Sequence, residues 1–350
     1  MTAGGTDRGY RLSVRIAPWL LLAACGGSPD GSPDASVPEA DAPQRDNLAT
    51  VEVKVVLDVV SPPLVDTPVA FIDPSGWGYV VRTGSDGVAR GEVVEGGSVV
   101  AAVGRNPGDV PSLFAMLGVH DGDKVHLGVT TILPWESSGA GACDEVDFTA
   151  TFTNLATHGV ADLALERVVP SRGYAHGHGE SVESTMVQTL TGSGGETALL
   201  QMSMTGPDGA HQYISEWIDG CRADYALDLS VMLPWVAQAT ANGSRIDVPR
   251  SGGSLEGDLL ATTLGTTDGS SLGWYVISPP LDSFKLPPLP GELAAHDPTG
   301  ELVPHSVELD DYELVDGYDA ARQIIIGRKG GGGIPGVPEL GRMRRSYRLH

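Results

Sequence analysis

The stretch Thr50 to Val60, "TVEVKVVLDVV", alternates β-branched and polar residues with a period of two, which is the pattern of a half-buried strand. Comparable short runs recur down the chain, among them "DFTATFTN", "TALLQMSM", "QYISEWI", "DLLATTL", "GWYVIS" and "RQIIIG". Gly, Pro and Asp separate them. With 47 Gly and 25 Pro, long helices are hard to build, so the sequence predicts an all-β protein of β-sandwich modules in tandem.

The ends are built differently. Arg8, Arg11 and Arg15 precede Ile16 to Ala24, an apolar run about half the length of the roughly 20 residues a membrane-spanning helix needs. That layout predicts a signal peptide over 1–24. The run closes as Leu22-Ala23-Ala24-Cys25 and resembles the lipobox of bacterial lipoproteins. The resemblance implies cleavage before Cys25 and lipidation of its thiol. With Gly26 rather than Asp next, it also implies an outer-membrane lipoprotein, periplasmic or surface-exposed. Buried methylenes contribute about 0.8 kcal/mol each, so several acyl chains hold such a protein to a bilayer without a spanning helix. After Cys25, Pro, Ser, Gly, Asp and Ala dominate to residue 48, which predicts a disordered linker over 25–48.

Charge narrows the partners. The formal net charge is −23, and −25 once residues 1–24, with three Arg and one Asp, are set aside. So acidic a body repels nucleic acid, leaving the membrane through Cys25 and a glycan or protein ligand as expected partners. Cys143 and Cys221 are then the remaining pair, expected to form a disulfide in an exported protein.

Residues 49–104 have a cadence of their own: "VEVKVVLDVV", "DTPVAFIDPSG" and "YVVRTGSDGVARGEVVEGGSVVAAV". This succession resembles the carboxypeptidase regulatory-like domain, a transthyretin-like β-sandwich, and implies a non-catalytic scaffold or binding module. A larger β region of one or two sandwiches is expected over 105–326. Two of its runs, "VHLGVTTILPW" (125–135) and "YALDLSVMLPW" (225–235), end alike, either as a duplicated module or from a shared local need. From 327 to 350 the chain is basic and Gly-rich, and a flexible tail is expected there.

Several strings invite chemistry. "GSSLG" around Ser271 has nucleophile-elbow letters, but a turn precedes it and a strand follows, where an elbow needs strand and then helix. "HSVE", His305 to Glu308, is half a zinc carboxypeptidase site, and "GGGIPG" (331–336) lacks the following helix of a dinucleotide loop. In "AHGHGE", His176, His178 and Glu180 would share one face of an extended chain and suit Zn²⁺, although a Gly-rich polar stretch also describes an exposed loop, the favoured alternative. The Asp-Gly pairs suit hairpin turns; Ca²⁺ would look to Asp121, Asp123 and "ELDDYE" (308–313). No cofactor is required by any of these strings. "DPSGWGY" (73–79) sets Trp77 between glycines with Tyr79 beside it, a pair able to stack on a ligand or, alternatively, to plug the sandwich end. The expected function is a lipid-anchored cell-envelope binding, adhesive or structural module. A hydrolase with an unrecognised site and a periplasmic assembly partner are the alternatives.

Overall fold

The computed structural model describes residues 46–56, 62–104, 111–128, 145–169, 173–180, 185–193, 197–267, 273–297, 300–327 and 341–349. The chain is all-β, and its strands repeat one scheme. The first seven are β1 (Leu48–Val56), β2 (Pro68–Ile72), β3 (Gly78–Arg82), β4 (Val88–Val94), β5 (Gly97–Val103), β6 (Ser112–Val119) and β7 (Lys124–Gly128). β1 lies antiparallel to β4 and parallel to β7, giving a sheet of order β4-β1-β7. β2 pairs with β3 and β5, and β5 with β6, giving the order β3-β2-β5-β6.

The next seven are β8 (Glu145–Thr153), β9 (Asp162–Val169), β10 (Gly173–Glu180), β11 (Thr185–Ser193), β12 (Thr197–Thr205), β13 (His211–Asp219) and β14 (Asp224–Asp228), with a one-turn helix α1 (Leu155–His158) after β8. They repeat the first seven strand for strand: β8 is antiparallel to β11 and parallel to β14, while β10-β9-β12-β13 form the second layer. The two runs that end in Leu-Pro-Trp begin in β7 and β14, which hold the same place in this scheme. That is the duplicated-module alternative.

A third set follows: β15 (Trp235–Val236), β16 (Thr240–Asn242), β17 (Arg245–Asp247), β18 (Arg250–Ser251), β19 (Leu259–Thr266), β20 (Trp274–Ser278), β21 (Ser283–Lys285), β22 (Leu302–Tyr312), the helix α2 (Gly317–Gly327) and β23 (Met343–Leu349). Here β17, β19, β20, β21, β22 and β23 pair as β1 to β6 do. β16, antiparallel to β17, takes the outer place that β7 and β14 hold in the other two modules.

The four-stranded layers join edge to edge. β13 pairs with β23 and β20 runs parallel to β6, so one twelve-stranded sheet has the order β10-β9-β12-β13-β23-β22-β19-β20-β6-β5-β2-β3. Part of it is buried on both faces. Val99, Ala101, Phe114 and Met116 pack with Val51, Val53 and Val55 of β1. Val100, Ala102, Leu113 and Ala115 look the other way and share a core with Ile246, Phe284 and Leu286. Strands covered on both sides read as near-continuous apolar runs, which accounts for "SVVAAV" and "LFAMLGV".

Two sequence-derived boundaries change. The first module runs from 48 to 128 rather than 49 to 104, because β6 completes one of its layers and β7 supplies Val125 and Leu127 to its core. It is also not a separate body, since the sheet runs on from β6 into β20. The expected flexible tail, 327–350, instead contains β23, which is inserted between β13 and β22. Its arginines meet a row of acids there: Arg345 makes a two-pronged contact with Asp310 (2.6 and 2.8 Å) and another with Glu308 (2.9 Å). Arg344 donates to Asp311 at 2.7 Å, and Arg342 to Glu216 of β13 at 2.7 Å. A basic segment is solvated only when nothing acidic awaits it.

Candidate functional site

The β2–β3 hairpin presents the aromatic pair singled out in the sequence. Its turn is fixed by hydrogen bonds from Gly76 N to Asp73 O (2.8 Å) and from Asp73 N to Trp77 O (2.7 Å). Gly76 has φ +90°, a backbone conformation that glycine adopts without strain. The buried Asp73 carboxylate accepts from Val94 N at 2.7 Å and ties the turn to β4. Tyr79 is held by Glu92, accepting from its N–H at 2.6 Å and donating to its carbonyl at 2.9 Å. Phe71 stacks on Tyr79 at 5.7 Å, and Trp77 tilts against Tyr79 at 5.7 Å. Phe71 is buried whereas Trp77 remains 36% exposed, so the indole ends an aromatic row rather than plugging a core.

A cavity of about 520 Å³ lies in the third module. Trp274 lines it, with Asn242 and Ser244 from the β16–β17 turn, Lys285 at the end of β21, and Asp297 and Glu301 from the segment before β22. Trp274 is 1% exposed, and its indole N–H has no hydrogen-bond partner among the described residues. Desolvation pushes the Asp297 carboxyl above its ordinary value. The roof is formed by residues 286–297, which contain the 3₁₀ turn Gly291–His296. In the first module the equivalent strands β4 and β5 are joined by Glu95 and Gly96 alone. Connections this long inside compact domains commonly carry function, and that length was the available sequence signal for a site that residue-type motifs missed. The roof touches the hairpin, since Gly76 approaches Pro288 and Arg82 pairs with Glu292. Trp77, however, shares its face with Tyr79 and Phe71, across the strand from Pro288.

A smaller cavity of about 340 Å³ sits where α2 docks on the β6–β7 turn, lined in part by His120, Asp316, Tyr318 and Asp319. His120 contacts Glu95 through Nδ1 and Asp319 through Nε2, the latter at 3.2 Å. The Tyr318 hydroxyl donates to Leu117 O at 2.6 Å, and Arg322 donates to Gly118 O at 2.9 Å and to the buried Asp123. This is a docking seam.

The other sequence candidates disperse. His305 sits at an irregularity of β22 with its ring over Gly265, whereas Glu308 lies opposite Ala261, four residues away along β19, and pairs with Arg345, so the half zinc motif is not assembled. "AHGHGE" is not a loop: Gly173–Glu180 pairs along its whole length with β9, placing His176, His178 and Glu180 at alternate positions of a strand at one end of the large sheet. The side-chain geometry of those three lies outside the described residues. The Asp-Gly pairs make turns, as at Asp208 and Gly209, both with positive φ, and at Asp86, whose carboxylate accepts from Val88 N at 3.1 Å. Asp121 accepts from Thr50 N at 2.8 Å, while Asp123, Asp310 and Asp311 are taken up by arginines. Among the described residues no three His, Cys, Asp or Glu are grouped to hold a metal ion. Cys25, Cys143, Ser271 and the 331–336 segment lie outside the described residues. Cys221 sits in the turn after β13, its N–H donating to Asp219 at 2.8 Å.

No protein-family model and no curated protein matches the chain. Solved structures resemble it weakly. The shaft pilin SpaA from Lactobacillus rhamnosus GG is 9% identical over 52% of this chain and 97% of its own, with a TM-score of 0.18. BcpA, the major pilin subunit of Bacillus cereus, is 8% identical over 75% and 87%, with a TM-score of 0.18. The Bacillus anthracis TIE protein is 10% identical over 75% and 44%, with a TM-score of 0.19. No helix among the described residues is long and apolar enough to cross a membrane.

Proposed function

We propose that this is a lipid-anchored cell-envelope protein, attached through Cys25, whose three sandwiches act as a binding or adhesive module and as a stiff spacer. The observation that carries the binding role is Trp77. A large apolar ring stays exposed at the tip of a hairpin that Asp73 and Tyr79 hold rigidly, so little ordering entropy is lost when a ligand stacks on it. The lipobox-like "LAAC" and the spacer-like composition of 26–48 support the anchor, and the outer membrane is the expected location.

We also propose the Cys143–Cys221 bridge. The reading is supported by their being the pair left once Cys25 is lipidated, and by the parallel register of β14 on β8, Asp224 opposite Thr149, which runs the segment after Cys221 alongside the segment after Cys143. A bridge closing a loop of about 80 residues stabilises by about 4 kcal/mol in the chain-entropy model.

The test has two arms. Cells fed labelled palmitate should label the wild-type protein but not Cys25→Ser, and equal labelling would end the anchor proposal. Purified soluble protein should be retained on envelope polysaccharide, with Trp77→Ala eluting early. Equal retention of the two proteins would remove Trp77 from the binding role.

A further inference from the structure

The geometry points to a second binding site, the cavity beneath residues 286–297, with a neutral polyhydroxylated compound, a carbohydrate, as its ligand. The three modules share one strand scheme, and the connection between the fourth and fifth core strands is far longer in the third than in the first. The first module closes that place with a two-residue turn. The third builds a roof there, and the cavity lies under the roof. Its volume falls in the usual range for small-molecule sites, about 300 to 1,000 Å³.

The lining fixes the class of ligand. Trp274 N–H, the Asn242 amide and the Lys285 ammonium can donate; Asp297, Glu301 and the Ser244 hydroxyl can accept. Lys285 shares the lining with two carboxylates, so a ligand carrying fixed charge of either sign meets a like charge there. Hydroxyl groups donate and accept at once and satisfy both sets without charge. Pro287, Pro288, Leu286 and Leu302 supply apolar wall for the C–H faces of a sugar ring. The buried indole N–H that has no partner among the described residues is the strongest sign of an intended acceptor, because such a donor is costly to leave without one. Trp77 lies across the strand from this wall, so its ring is not part of the cavity.

Saturation-transfer NMR and calorimetry of the full chain against glucose, galactose, mannose, N-acetylglucosamine and their disaccharides test the assignment, with glucuronate as the charged control. Saturable binding of at least one neutral sugar, weaker for glucuronate, is expected. Trp274→Phe keeps the ring and removes the N–H, and should weaken that binding about tenfold. Asp297→Asn, at an exposed position, should weaken it without lowering the melting temperature and covers the case in which Trp274→Phe misfolds. Trp77→Ala should leave it unchanged. Absence of binding by every neutral sugar, equal affinity in the Trp274 and Asp297 variants, or loss of binding in Trp77→Ala would each overturn the assignment.

Discussion

The first and second modules have the same seven-strand topology and differently weighted cores. The first leans on small aliphatics, Val51, Val53, Val55, Val69, Val93, Val99 and Ala101, beside Phe71, Phe114 and Met116. The second holds Phe148, Phe152, Met202, Met204, Tyr225 and Trp235, and closes over buried His158 and Gln212. His158 Nε2 lies 2.9 Å from Gln212 Oε1, Gln212 Nε2 donates to Leu233 O at 2.7 Å, and Trp235 stacks on the imidazole while donating to its carbonyl at 2.6 Å. Strand order is therefore carried by where turns fall and which positions alternate, not by which residues fill the middle. What the filling decides is how each module answers to its surroundings.

The strongest way to break the comparison is to uncouple the modules. Arg345→Ala leaves the buried Asp310 and the partly buried Glu308 without their cation, and should cost about 3 to 5 kcal/mol. Urea denaturation should then resolve two transitions where the wild type shows one, with β23 first lost from β22 and the joint to β13 going with it. A single transition of unchanged midpoint would mean that the joint is held by its backbone ladder alone.

A smaller effect should fall on the second module only. Burial holds the His158 imidazole below its ordinary value of about 6.5. The contribution of neutral His158 is thus complete above that pH and lost as the pH falls through the lower folded value, because the unfolded chain takes up the proton first. The protection factors of β12 amides, corrected for intrinsic exchange, should fall below pH 6.5 more than those of β2, and Gln212→Ala, costing about 1 to 3 kcal/mol, should lower β12 protection at neutral pH. An equal fall in the two strands would erase the distinction.

The smallest expected effect is at the hairpin of the first module. Trp77→Ala should move stability by no more than about 0.5 kcal/mol, whereas a ring serving as a core plug would cost about 3 to 5. A thermal melt of the variant separates the two.

Much of this architecture was legible because strands and turns are local. Alternation in "TVEVKVV", the Asp-Gly turns and the shared Leu-Pro-Trp endings all carry their own physics in a few residues. What stayed hidden depends on residues far apart. "RMRRSYR" has the composition of a solvated tail, and only the acids of β22, some 30 residues earlier, turn Arg344 and Arg345 into interior side chains. "AHGHGE" reads as loop because its glycines outweigh its alternation, yet β9 offers a full ladder of partners. The cavity has no motif at all: Asn242, Trp274, Lys285 and Asp297 meet through topology, and a length of connecting chain was the sole trace they left.

The position of β23 has a consequence in time. It follows every other strand of its sheet in sequence, yet it fills a central slot between β13 and β22. While the chain is being made from its amino end, β13 and β22 each wait with an open row of amide and carbonyl groups until the late arginine-bearing strand arrives. Open rows of that kind recruit strands from other chains. The acids waiting on β22 act as gatekeepers during that interval, since a neighbouring copy's acidic strand is repelled and only a basic one is welcomed.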